Sequence, residues 1–200
     1  MQAETRERRS GEATRQRILA AAIARFAQGS YEEVKLRDIA ADVGVDVALV
    51  HRSFGSKEQL FAAVLSAASP ADRQLAVDVK DLSAAFVNDM FTSKPNDALK
   101  IILRSLSSPQ ARDVLRAHGA IDFIEPLAAK LSGPARQQRA ALFAACLTGI
   151  SILREVLQVA PLLDESRELS QPLIERILGV CLAGDDGLGP SVDDAGSDQA

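Results

Sequence analysis

Two hundred residues, 47% hydrophobic and 25% charged, have the composition of an ordinary soluble globular chain and suffice to bury a full core. No apolar run reaches the roughly 18 residues that cross a bilayer, and the basic N-terminus MQAETRERRSGEATR lacks an apolar signal core, so a cytoplasmic chain without membrane contact is expected. The formal net charge of −4 hides a split: residues 1–60 carry 10 Lys and Arg against 9 Asp and Glu and the acidic excess follows them, so overall charge neither supports nor excludes a nucleic-acid partner.

With 4% aromatic residues and no Trp, packing falls to Leu, Ala, Val and Ile, and because Ala and Leu are the strongest helix formers an all-α protein is expected. Residues 1–11 read as a disordered polar arm, in which Glu4 and Glu7 dilute the phosphate contacts that Arg6, Arg8 and Arg9 offer. From Glu12 the pattern becomes helical, with Ile18, Leu19, Ala22, Ile23 and Phe26 on one face and Gly29 placed as a left-handed cap. A second helix follows, with Leu36, Ile39, Ala40 and Val43 apolar over about two turns before Gly44 stops it. Asp46 is placed to cap a third, Val47 to about Phe54, which buries Val50 and Phe54. Gly55 closes that helix, Ser56 and Gln59 have the spacing of a capping box, and Leu60, Phe61, Val64 and Leu65 mark a fourth helix ending near Pro70.

Longer helices are predicted over about 71–92, over 97–107 capped by Asn96, and over 109–131, where Ser108 caps, Pro109 is first and Pro126 kinks or splits the element. The longest pattern runs from Pro134 to about Val159, and a last helix from about Ser166 to Ala183 contains Pro172. The tail from Gly184, GDDGLGPSVDDAGSDQA, has five aspartates and no basic residue and reads as disordered solvated chain. Cys146 and Cys181 have no metal-binding spacing, with only His51 and His118 as further ligands, so both are expected as small core residues and no metal, cofactor or disulfide framework is predicted.

A helix of eight residues is marginal alone, so Val47–Phe54 must be held by its neighbours. Three helices within about 45 residues, the second and third joined across GlyValAsp, are the arrangement of a helix-turn-helix spanning about residues 35–54. Eight residues at 1.5 Å rise make a rod of about 12 Å, comparable with the roughly 12 Å width of the B-DNA major groove.

The stretch RQRILAAAIARFAQGSYEEVKLRDIAADVGVDVALVHRSFGSKEQLFAAVL resembles the N-terminal domain of the tetracycline-repressor (TetR) family of bacterial regulators. The likeness runs over about Glu12 to Asp72 and rests on ILAAA, LRDIA and FGSKEQLF at these spacings; residues 134–183 more loosely resemble a C-terminal domain found in part of that family. It implies a DNA-binding domain over 12–72, an effector-binding and dimerisation domain over 73–183, a homodimer on a palindromic double-stranded operator, and a small-molecule effector.

Carried over by position, the resemblance puts Arg37 at a base edge, Val47, Ala48 and Leu49 against bases and sugar-phosphate, and His51 where the family usually has a phosphate-binding tyrosine. It puts Arg52 and Ser53 at DNA-contacting positions and Lys57 at a helix N-terminus where an ammonium pairs a phosphate. Ser53 stands where an aromatic residue or His is frequent, which shifts the expected grip toward Arg52, Lys57 and the arm. Other readings stay open: Arg37 paired with Glu33 or Asp38 on a solvated face, His51 and Lys57 as ordinary surface residues, and Leu49 in the core.

Leu142, Ala145, Cys146, Ile150 and Leu153, with the small Gly149, form a stripe that, together with Leu173, Ile174, Ile177 and Leu178, suggests a four-helix dimer interface; an intramolecular core is the other reading. Phe86, Met90, Phe91, Leu103, Phe123 and Phe143 are candidate walls of an effector pocket, with Arg104 and His118 as its polar contacts. No GxSxG, phosphate-cradling loop or HExxH is present, so no enzyme and no catalytic residue is expected. A ligand-released repressor is the expected function, with a DNA-binding activator or a helical adaptor for protein partners as alternatives.

Overall fold

The structure, a computed structural model, describes residues 2–69, 74–92 and 97–184, with side chains from Gly11 onward. Its helices are α1 (Gln2–Gln28), α2 (Leu36–Val43), α3 (Val47–Phe54), α4 (Lys57–Ala68), α5 (Val79–Thr92), α6 (Asp97–Ser105), α7 (Pro109–Gly119), α8 (Glu125–Lys130), α9 (Arg136–Ser151) and α10 (Arg167–Leu182). Among the described residues there is no strand. Pro70, the Asn96 cap and the acidic tail beyond Gly184 lie outside the described residues.

The arm differs from expectation, because α1 is continuous from Gln2. Its Gln, Ala, Glu and Arg are good helix formers, and the single Gly11 costs only about 1 kcal/mol.

The chain divides into two compact units that do not follow chain order, the first holding α1 to α4 with α6 and α7. Helices expected in the second domain therefore belong to the first unit, for a packing reason: Ile101 of α6 and Ala111 of α7 are fully buried in the same core as Ile18, Phe26, Leu60 and Phe61. The rings of Phe26 and Tyr31 both meet Phe61 with centroids 5.0 Å apart, and burying a ring of this size contributes about 1.5–3 kcal/mol. Ser108, which caps α7 through the Ala111 amide, also donates to the Glu32 carboxylate at 2.5 Å.

The second unit holds α5 and α8 to α10. The expected break at Pro126 appears as a π-helical turn, Ala120–Ile124, between α7 and α8, because proline has no N–H for the preceding turn and the backbone must change register. The long helix expected to reach Val159 stops earlier: α9 ends at Ser151, a π-helical turn covers Ile152–Val156, and two 3₁₀ turns follow, Ala160–Leu162 and Asp164–Ser166. Arg154 holds this reversal, its guanidinium donating to the Met90 and Leu162 carbonyls and to Asp164 while lying 4.2 Å over the Phe91 ring. Arg139, itself buried, donates to the carbonyls of Ser132, Cys181 and Leu182 and so ties the start of α9 to the end of α10.

Candidate nucleic-acid interface

Local capping fixes the α2–turn–α3 unit. Gly44 sits at φ 71°, a left-handed conformation in which its amide reaches the Ala40 and Ala41 carbonyls and ends α2. Two residues later Asp46 is extended, and its carboxylate accepts from the Ala48 amide at 2.7 Å to start α3. Gly55, at φ 81°, ends α3 with its amide on the His51 carbonyl at 2.7 Å. The capping box follows as expected: Ser56 Oγ accepts from the Gln59 amide at 3.2 Å and Gln59 Oε1 accepts from the Ser56 amide at 3.0 Å. A Cβ at residue 55 would lie 1.8 Å from Gln59 Oε1, so only glycine leaves this box intact.

Val50 and Phe54 anchor α3 in the core, and the guanidinium of Arg15 on α1 lies 4.4 Å over the Phe54 ring. Arg17 donates to the Val43 carbonyl at 2.6 Å, and Arg25 forms a bidentate pair with Asp42 at 2.6 and 2.7 Å, holding that carboxyl below the usual aspartate range. These three arginines orient α2 and α3 on α1. Sequence reasoning missed them, and their spacing of two and eight residues on α1 carried no sign of their partners.

The outer face of α3 presents Val47, Ala48, His51 and Arg52 to solvent, with Leu49 and Ser53 half-buried beside them. Arg37, near the start of α2, is 72% exposed in its side chain and makes only a loose pair with Asp38 at 3.6 Å. His51 Nδ1 lies 3.0 Å from the Gly55 carbonyl, which places the proton on Nδ1. Lys57 is placed otherwise than a free ammonium at the helix start: its Nζ lies 4.3 Å from the Tyr31 ring centroid, and burial lowers its pKa against the opposing charges of Glu32 and Glu58. Tyr31, whose phenol burial pushes up, donates to Glu58 Oε1 at 3.1 Å.

The eight expected pocket residues divide between the two units. Leu103, Arg104 and His118 belong to the first unit and Phe86, Met90, Phe91, Phe123 and Phe143 to the second. There Phe86, Phe123 and Phe143 pack ring against ring with centroids 5.2–6.3 Å apart, and Phe91 lies beneath the guanidinium groups of Arg154 and Arg167. Phe86, Phe91 and Phe143 are buried in the core of this unit, and the half-buried Phe123 packs against it.

The expected interface stripe also needs correction. Ile174 and Leu178 are 3% and 0% exposed in the second unit's core, whereas Leu142, Leu153, Leu173 and Ile177 face solvent. Cys146 and Ile150 are half-buried at the flank of the α9 stripe. The exposed face of α10 includes Leu169 and Val180, missed although residues 169, 173, 177 and 180 have helical spacing.

A compact three-helix head with a capped helix of about two turns standing outward defines a helix-turn-helix protein. Residues 18–64 match the family described as bacterial regulatory proteins, tetR family, and residues 80–182, more than half the chain, match the tetracyclin repressor-like C-terminal domain. The chain belongs to the tetracycline-repressor family, whose members are DNA-binding transcriptional regulators. Among solved structures it is similar to Salmonella enterica GusR, at 18% identity and TM-score 0.65 over 85% of this chain and 95% of that one. It is also similar to Pseudomonas aeruginosa NalD, the secondary repressor of the MexAB-OprM multidrug efflux pump, at 18% and 0.62 over 88% and 99%. A putative transcriptional regulator from Saccharomonospora viridis, solved in complex with choline, gives 21% and 0.54 over 84% and 94%. At these identities the likeness is one of fold. No curated protein matches.

Proposed function

We propose that the chain is a homodimeric cytoplasmic repressor that leaves a palindromic operator when a small molecule binds. The observation that carries this reading is the outward face of α3, where Val47, Ala48, His51 and Arg52 stand clear of a helix capped at both ends. Arg37 reads a base edge, for which guanine offers a bidentate partner, and Val47, Ala48 and Leu49 meet thymine methyls and sugar. His51, Arg52 and Ser53 hold phosphates, and Lys57 joins them once it leaves the Tyr31 ring.

Dimerisation uses the apolar residues that α9 and α10 leave in water. Leu142, Ala145 and Gly149 face outward from α9, Leu153 from the π-helical turn that follows it, and Leu169, Leu173, Ile177 and Val180 from α10. Exposed apolar residues of this kind mark an interaction surface, and the reading requires a two-fold pairing that brings two α3 helices about one helical turn of DNA apart, 34 to 36 Å, or a multiple of it. A ligand that favours protomers with another α3 separation shifts the population off the operator by its differential affinity alone.

Selection of bound fragments from a random duplex pool tests the reading. It predicts enrichment of an inverted repeat, with Arg37→Ala relaxing the preference at one base pair per half-site. Recovery of no common sequence, or of one half-site by a monomer, would contradict it.

A further inference from the structure

Between α4 and α7 the first unit opens a cleft of about 430 Å³, within the 300–1,000 Å³ range of small-molecule sites. Its walls are apolar: Ala62 on α4, Val114 and Ala117 on α7, and Ile121, which stands 60% exposed at the mouth. Its polar edge is acidic, with Glu58, Asp113 and Asp122 among the lining residues and neither Lys nor Arg. Asp113 pairs on its solvent side with Arg116 at 3.0 Å, which leaves Glu58 and Asp122 as the lining carboxylates with neither Lys nor Arg on the cleft wall beside them. Asp122 Oδ2 accepts from Ser66 Oγ at 2.9 Å across the cleft, and His118 Nδ1, in a side chain only 14% exposed, lies 2.6 Å away. Ile121 and Asp122 both come from the π-helical turn ahead of Pro126, a local distortion that recurs at functional sites.

We propose that this cleft is the effector site and that its ligand is a monovalent organic cation with an apolar body, a reading that rests on the effector-responsive function proposed above. The apolar walls take the body, and the ammonium comes to rest toward Asp122 and Glu58. An anion meets the two carboxylates, and a neutral molecule gains no charge attraction from them. The cleft is also placed to act on DNA binding. Lys57, the first residue of α4, follows α3 by only Gly55 and Ser56, so a displaced α4 moves the recognition helix directly. Glu58 joins the cleft edge to the aromatic core of the helix-turn-helix through the Tyr31 hydroxyl. A cation at Asp122 competes with His118 and loosens the Ser66 bond that spans α4 and the π-helical turn.

The test is calorimetric titration of the full-length protein, free of DNA, with benzyltriethylammonium, benzyl alcohol and benzenesulfonate. The expected result is one cation per protomer, bound at least about tenfold more tightly than either of the others, with Asp122→Asn weakening it about tenfold, as for loss of a charged partner. Ile121→Arg, a surface change that brings a competing cation to the mouth, is expected to abolish binding, with thermal melts confirming that both variants fold. Equal binding of all three probes, no binding, or cation binding untouched by either substitution would overturn the site. The same samples, tried without probe on the selected duplex, report the regulatory reading separately: a chain that binds no duplex overturns that reading, and operator binding without cation binding overturns only this one.

Discussion

Replacing Asp46 probes the link between one side chain and the posture of α3. The helix has eight residues, too few to persist by propensity, and its start rests on one carboxylate accepting the Ala48 amide at 2.7 Å. Asp46→Ala removes that cap and costs about 1 kcal/mol, a factor of about five in the opening equilibrium of the helix. The change also deletes a negative charge near incoming phosphates, which favours DNA and opposes the cap effect. Asp46→Asn separates the two, because asparagine caps as well as aspartate but carries no charge. Hydrogen exchange of the Val50 to Phe54 amides is therefore expected to be about five times faster in the alanine variant than in the asparagine variant. Operator affinity of the alanine variant is expected to fall below that of the asparagine variant by no more than about twenty-five-fold over two half-sites, the square of the single-site factor. Equal exchange in the two variants would refute the assignment of α3 stability to this cap.

The Arg25–Asp42 pair carries a pH signature. Its carboxyl is held below the usual aspartate value, so the stability it contributes is present above about pH 4 and is lost as pH falls through the lowered folded value; Asp42→Asn is expected to flatten that acid slope in denaturant melts, and an unchanged slope would place the acid sensitivity elsewhere. Phe143, fully buried between Phe86 and Phe123, is expected to cost about 3–5 kcal/mol when changed to Ala, read by urea unfolding; a cost below about 1 kcal/mol would mean the cluster is loosely packed. Ile177 is exposed in the protomer, so Ile177→Asp is expected to leave the fold intact while shifting sedimentation from dimer to monomer. An unchanged dimer would remove α10 from the interface.

What was legible in the sequence is what short-range chemistry writes. Gly44, Asp46, Gly55 and the Ser56 and Gln59 pair act within a few residues of themselves, and each was assigned its cap from spacing alone. The apolar faces of α2 and α3 were legible for the same reason, since Ile39, Val43, Val50 and Phe54 recur at helical intervals. Long-range choices were not legible. That Ile101 and Ala111 join the core of Ile18 depends on packing between segments some 80 residues apart. Leu173, Ile174, Ile177 and Leu178 fall on adjoining stripes of one helix, so periodicity alone did not decide which pair turns inward. The resting place of the Lys57 ammonium was not legible either, because the Tyr31 ring it lies over is 26 positions away. Phenylalanine serves pocket walls and cores alike, so the sequence did not show that Phe86, Phe123 and Phe143 meet ring against ring.

Fluorescence anisotropy of the purified protein on its selected duplex, against a scrambled duplex of equal length and with salt varied, tests the central claim most directly. Sequence-specific binding through the outer face of α3 predicts a preference of at least about a thousandfold, with log K falling by about 0.9 per neutralised phosphate for each decade of salt. Arg52→Ala is expected to lower the salt slope by about one phosphate per half-site and to weaken both duplexes alike. Equal, weak binding to the two duplexes, with Arg52→Ala changing neither affinity nor slope, would contradict the assignment of this face to DNA.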